Sequence, residues 1–277
     1  MCIRDRPRVA GPFATASTGR NARFVYAVRV LGIPNLRDIG GHETADGRRV
    51  RTGLVFRSGQ LDRSDGADLA GLGVRTVYDL RTERERGVAP DRVPEGVRVI
   101  VADVLGGAVD SAAAKLTAYA ADVQIAMREL GNGRGVDLLR DSYRQMVSLP
   151  SASAAYRDLF AGIVAADGPS LFHCTAGKDR TGWAAAVLLT LAGVPDDVVT
   201  RDYLSSNEFV LPAYQPLLDR LAARGGDPYV LLPLLRVDVS YLDAAWDEMH
   251  QRYGTVEAYV DEGLGIDPDA IRTALTS

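Results

Sequence analysis

The stretch FHCTAGKDRTGW, residues 172–183, sets His173, Cys174, Gly177, Lys178, Asp179, Arg180, Thr181 and Gly182 within a dozen positions. Residues 174–181 contain no proline, so every backbone N–H in them is free to point at a ligand. A short apolar run precedes them and a longer one follows, which predicts strand, tight loop, helix. A helix N-terminus with unpaired N–H groups is an anion site. Gly177 permits a positive φ or the close approach of an anion, and Gly182 lets the helix pack tightly on the sheet. A cysteine ringed by such groups and an arginine favours the thiolate, a nucleophile able to attack phosphorus. Arg180, six residues on, offers a flat, permanently charged fork to two phosphate oxygens. Thr181 stands where its hydroxyl can bond the sulfur and ease its departure. The expected phosphate cradle is Thr175, Ala176, Gly177, Lys178, Asp179, Arg180 and Thr181.

Other chemistries fit less well. A nucleotide-binding G-x-x-x-x-G-K-[ST] loop fails, because Asp179 follows Lys178 and Phe172 stands where the first glycine belongs. A zinc site fails for want of a second Cys/His pair. Cleaving a phosphate ester expels an oxyanion that a carboxylic acid must protonate. Two aspartates are candidates: Asp179 within the loop, and Asp79 at the end of the strand VYDLR. The plainer reading of Asp79 is a structural carboxylate bonded to backbone or to Arg81. His173, ending a buried strand, is expected to bond backbone and shape the loop. Asn35, Arg37 and Asp38, with Arg57 and Ser58, are expected to brace it. Glu83 and Glu85 read as partners of neighbouring arginines on a solvated face.

HCTAGKDRTG resembles the H-C-x5-R-[ST]-G signature of cysteine-based tyrosine and dual-specificity phosphatases. IPNLRDIGG (33–41), LVFRSGQL (54–61), VYDLRTERE (77–85), DYLSSNEF (202–209) and YGTVEAYVDEGLG (253–265) look like the bacterial tyrosine/serine phosphatase group typified by a secreted mycobacterial lipid-and-protein phosphatase. The matches run from about residue 30 to the end. The resemblance implies an α/β fold with a mostly parallel central sheet flanked by helices, a Cys-Arg site, a phosphocysteine intermediate, no metal or other cofactor, and extra helices covering the site. An aspartate stands at the place of Asp179 in that group, whereas dual-specificity enzymes have their acid at the place of Asp79. Phosphatases that accept phosphoinositides often carry a lysine in this loop, which marks Lys178. The expected partner is a phosphorylated protein or a phosphoinositide. A dead, phosphate-gripping relative would be the alternative, although such proteins commonly lose the cysteine or the arginine. Arsenate reduction needs resolving cysteines, and the only other cysteine is Cys2.

The whole chain agrees. Its 277 residues are 47% hydrophobic and 25% charged, enough for a sizeable core. A net charge of −4 argues against a nucleic-acid partner. Only Lys115 and Lys178 are lysines among 32 basic residues, so a lysine in the key loop runs against a strong arginine bias. Two distant cysteines exclude a disulfide framework and suit the reducing cytoplasm, with signal-less export as in the resembled secreted protein the alternative. The longest apolar run, residues 183–194, is too short for an integral membrane segment. No feature indicates an oligomeric state. Residues 1–23, with five arginines and no apolar core, read as a disordered tail or a misplaced start.

Residues 24–277 read as one phosphatase domain. Strands are expected at 24–31, around 54–56, at 75–81, 97–104 and 170–173. Asp46-Gly47 predicts a turn. Ser64 is expected to cap a short helix ending at Gly71 or Gly73. Helices are expected over 152–167, from Arg180 to Gly193, after Pro195, over the stripe Leu242, Trp246, Met249 and Tyr253 with Gly254 as stop, and after Asp267-Pro268. Residues 106–148 break the βα rhythm with two helices, the first carrying Leu116, Tyr119, Val123, Met127 and Leu130. They are expected to form a mobile lid, against the plainer reading of a packed helical layer.

Overall fold

The computed structural model describes residues 32–106, 119 and 122–277. The expected strand 24–31, the tail and Leu116 lie outside them. Five strands form one sheet in the order β1-β2-β5-β3-β4: β1 is Arg37–Asp38, β2 Val55–Ser58, β3 Thr76–Asp79, β4 Arg98–Val101 and β5 Ser170–His173. All pairings are parallel except β1 with β2. β2, β5 and β3 are buried at every position, as strands covered on both faces must be. Phe56, Leu171 and Val77 align across the sheet and join a small core with Leu36, Leu61 and Leu69. Phe172 and Tyr78 turn to the other face, into the main core. β4 is an exposed edge. The same register sets Ser58, His173 and Asp79 side by side at the carboxyl ends of their strands, where open α/β sheets bind ligands.

Eleven α-helices are present among the described residues: α1 Ala67–Gly71, α2 Glu83–Val88, α3 Val123–Leu130, α4 Arg134–Ser148, α5 Pro150–Val164, α6 Arg180–Leu191, α7 Asp196–Ala223, α8 Leu232–Leu235, α9 Val239–Tyr253, α10 Val256–Ala258 and α11 Pro268–Leu275. α6 leaves the loop and is buried at every position except Thr190, as a helix at the centre of a domain is. Gly254 ends α9 with φ 79°, and the Asp267 side chain caps α11. No helix among the described residues is long and apolar enough to cross a membrane.

Two expectations are corrected. Ser64 does not cap α1. Gly66 holds the cap position with φ 83°, while the Ser64 hydroxyl accepts from the Gly66 amide and shapes the turn before it. The second helix of the expected lid 106–148 is joined to the body of the domain, as the plainer reading has it. α4 buries Leu139, Tyr143, Met146 and Val147 in the main core and packs along α9. In the first helix the described stretch Val123–Leu130 starts at an Asp122 cap. Tyr119 and Leu130 are buried but Met127 is exposed, so Met127 does not belong to the expected apolar stripe. If α4 is core, Leu139→Ala should cost about 2–5 kcal/mol in urea unfolding. A loss below about 0.5 kcal/mol, the surface range, would return α4 to the status of a detachable cover.

Candidate active site

The loop from Cys174 to Asp179 leaves the end of β5 and turns into α6. Gly177 is required twice over. Its φ is 67°, and a Cβ there would lie 2.3 Å from the Ser58 carbonyl oxygen and 2.6 Å from the Gly59 nitrogen. At Gly182 a Cβ would meet the Tyr203 ring at 3.1 Å, so this glycine brings α6 against α7, with the Arg57 side chain also close. Cys174 is buried and carries a free thiol.

The carbonyls of the loop are held from outside. Asn35 Nδ2 donates to the oxygens of Gly177 at 2.7 Å and Ala176 at 3.2 Å. Arg57 Nη2 donates to Gly177 O at 3.1 Å. Gln60 N donates to Thr175 O at 3.1 Å. Asn35 itself sits at φ 55°, a left-handed conformation that Asn tolerates better than most residues. Behind this layer, Asp202 of α7 accepts from Arg57 Nη1 at 2.8 Å and Arg37 Nε at 3.1 Å, and Arg37 also bonds Asn35 Oδ1. Burial alone would push the Asp202 carboxyl up. Arg37 and Arg57 outweigh it and hold the group at about 2. The bracing expected of Asn35, Arg37 and Arg57 is therefore present, and Asp202 is its missed keystone. Asp38 instead accepts from the amides of Gly40 and Gly53, a local turn support.

Arg180 has five N–H donors. Nη1 serves Glu85 Oε2 at 2.7 Å and Leu80 O at 3.2 Å, and Nη2 serves Glu85 Oε1 at 2.7 Å. That leaves Nε–H and one Nη2–H, the pair on one side of the guanidinium, as a fork for an oxyanion. Glu85 also accepts from the Thr175 hydroxyl and from the amide and hydroxyl of Thr82. Burial opposes its ionisation, but Arg180, Thr175 and Thr82 hold its carboxyl far below the usual range. Burial likewise opposes the Arg180 charge, and Glu85 more than restores it. Glu85 is thus an arginine partner, as expected, but of an arginine 95 positions away and not on a solvated face. The signal lay in T-x-x-E straight after the strand, a capping box that fixes Glu85 in the first turn of α2.

The two candidate acids differ. Asp79 is 2% exposed. Arg81 donates to both of its oxygens, Nε at 2.9 Å and Nη2 at 2.8 Å. Arg81 also meets Asp91 at 2.7 Å, and Asp91 lies 3.0 Å from His173 Nε2. His173 Nδ1 is 3.3 Å from Cys174 O, the backbone contact expected of it. Asp79, Asp91 and His173 gather as metal ligands would, yet the Arg81 guanidinium already supplies the cation between the carboxylates. Asp179 keeps its side chain 23% exposed. Its Oδ1 accepts from Lys178 Nζ at 2.9 Å and from Tyr143 Oη at 2.9 Å. Lys178 is buried and also donates to Arg236 O at 3.1 Å. Thr181 Oγ1 is buried with no hydrogen-bond partner among the described residues. Burial pushes the Tyr214 phenol up to about 12, with the charges of Asp179 and Cys174 adding to it. The second half of α7 and the Arg236 turn therefore flank the loop, together with α4, which reaches it through Tyr143.

A buried cysteine, a fixed arginine fork and a helix N-terminus make an oxyanion-handling centre. The family model described as the tyrosine phosphatase family matches residues 28–276. This chain belongs to the tyrosine phosphatase family. As a member it is a protein-tyrosine phosphatase, a hydrolase of phosphate esters. A Cupriavidus necator protein named as a tyrosine-protein phosphatase is 37% identical over 87% of this chain and 85% of its own length. The triple specificity protein phosphatase PtpB of Mycobacterium tuberculosis is 33% identical over 86% of this chain and 95% of its own. Among solved structures, Pseudomonas aeruginosa TpbA aligns over 82% of this chain and 89% of its own, with TM-score 0.32 and 18% identity.

Asp202→Ala should cost about 3–5 kcal/mol, because two buried guanidinium groups lose their counter-charge. The pH dependence has a definite sign. The folded carboxyl titrates below its unfolded value of about 3.9, so its contribution is full above that value and disappears as pH falls through about 2. Urea unfolding of wild type should show this loss between those limits, and the variant should lack it. Equal pH slopes would contradict the bracing role.

Proposed function

We propose that the protein hydrolyses phosphotyrosine through a phosphocysteine intermediate, with phosphoserine or phosphothreonine and phosphoinositides as further substrates. The observation that carries the reading is the arrangement around Cys174: a buried sulfur at the start of the loop, with an arginine whose remaining side-on donors form a fork. The phosphate lies in the cradle of Thr175, Ala176, Gly177, Lys178, Asp179, Arg180 and Thr181. Cys174 Sγ attacks phosphorus; the S–P bond forms as the P–O bond to the substrate breaks. Asp179 gives its proton to the departing oxygen. Water then attacks the phosphocysteine, its proton passes to Asp179, and the S–P bond breaks to release inorganic phosphate and the thiolate. The unpartnered Thr181 hydroxyl supports a role in receiving that thiolate. Arg180 and the loop amides stabilise the charge of the transferring group.

Asp179 is preferred to Asp79 as acid because it is partly open, while both oxygens of Asp79 are engaged by Arg81. Asp79 acts through Arg81 in holding the strand end. The broader substrate range is supported by the name of the mycobacterial relative, which states triple specificity, and by Lys178, a cation beside the cradle.

Cys174→Ser should lower kcat on p-nitrophenyl phosphate by more than about a thousandfold while phosphate or vanadate still binds, as read by isothermal calorimetry. Activity near wild type would overturn the nucleophile assignment.

A further inference from the structure

A carboxyl group delivers its proton from one oxygen, and the two oxygens of Asp179 are not equivalent. Oδ1 accepts two hydrogen bonds, from Lys178 Nζ and from the Tyr143 hydroxyl, each at 2.9 Å. Tyr143 comes from α4 and is fully buried. Its oxygen lies 2.8 Å from that of Tyr203 on α7, also buried. A phenol has one hydrogen to give. Tyr143 gives its own to the carboxylate, so Tyr203 must donate to Tyr143. The alternative acceptor for Tyr203, the Asp238 carbonyl, is 3.4 Å away. Burial, helped by the charge of Asp179, pushes both phenols well above the ordinary tyrosine range, so neither donor titrates away at working pH. The ring of Tyr143 is fixed as well, edge-on to Tyr203 and tilted against Tyr241.

A proton on Oδ1 would face two donors. A proton on Oδ2 leaves both of those bonds intact, and among the described residues Oδ2 has no hydrogen-bond partner. We propose that Tyr143 is a positioning residue for the general acid: with Lys178 it reserves Oδ1 of Asp179, so that the catalytic proton sits on Oδ2, the oxygen left for the substrate. The proposal rests on the reading of Asp179 as acid. It gives α4 a part in the reaction that a detachable cover would not have. Tyr203 acts one bond further back, orienting the Tyr143 hydroxyl. The other groups that feel the charge of Asp179 are Arg180 on α6, Tyr156 on α5, Tyr214 on α7 and Tyr241 on α9. None of these is hydrogen-bonded to the carboxylate, which among the described residues accepts only from Lys178 and Tyr143.

The test compares full-length wild type with Tyr143→Phe, Tyr203→Phe and Asp179→Asn on two esters, p-nitrophenyl phosphate with a good leaving group and phenyl phosphate with a poor one. Asp179→Asn should lose about 10²–10⁴ in kcat on phenyl phosphate and much less on the nitrophenyl ester. Tyr143→Phe should lose about tenfold, a fraction of that catalysis, on phenyl phosphate alone, with KM unchanged. Tyr203→Phe should show the same selective loss in kcat, smaller in size. Equal losses on both esters, or a loss carried by KM, would reduce Tyr143 to a packing residue and overturn the proposal. If Tyr143→Phe fails to fold, Tyr203→Phe decides by the same readouts. If Asp179→Asn shows no dependence on leaving group, the acid reading falls and the proposal with it; a normal dependence there with none in Tyr143→Phe overturns the proposal alone.

Discussion

The site depends on keeping the loop carbonyls turned away from its centre. A loop can present its amides to an oxyanion only if its oxygens are bonded elsewhere, since buried carbonyls do not stay unpaired. Asn35, Arg57 and the Gln60 amide take them. These donors hold position because Asp202 fixes both arginines behind them. The anion site is therefore a property of residues from four separated stretches of chain, and Gly177 is the point where the layers touch.

Charge is matched pair by pair around it. Arg180 is buried opposite Glu85, Arg81 opposite Asp79 and Asp91, Lys178 beside Asp179. Buried pairs of this kind contribute little net stability, because desolvation offsets attraction. Their effect is directional. Glu85 takes the end of the Arg180 guanidinium and leaves its side edge for the ligand. In the proposed role Arg180 is thus preorganised before substrate arrives, and the reorganisation that a solvated arginine would need is avoided.

What was legible in the sequence was local. The loop showed itself because its chemistry is compressed into eight residues, and β3, β5 and the Gly254 stop followed from short-range patterns. The long-range partners did not. Asp202 and Tyr143 lie in helices whose local sequence says only that they are helical, and their roles arise from packing across the core. Glu85 was expected to pair with neighbouring arginines on a solvated face, not with the distant, buried Arg180. The lid expectation for α4 shows the same limit: an amphipathic helix inserted between strands reads alike whether its apolar face covers a pocket or joins the core. In the structure α4 does both: Leu139 joins the main core while the Tyr143 hydroxyl reaches Asp179. At Ser64 the expected cap fell two residues early, since Gly66 reaches the left-handed conformation more cheaply than serine.

The central claim is a covalent intermediate on Cys174, made and broken with Asp179 as acid and then base. Trapping tests it most directly. With an aryl phosphate whose leaving group needs no proton, Asp179→Asn should form the intermediate but hydrolyse it slowly. Rapid quench followed by peptide mass spectrometry should then find the phosphoryl group on the peptide containing Cys174, at close to one per chain. No phosphorylated peptide, or label on another residue, would contradict the account.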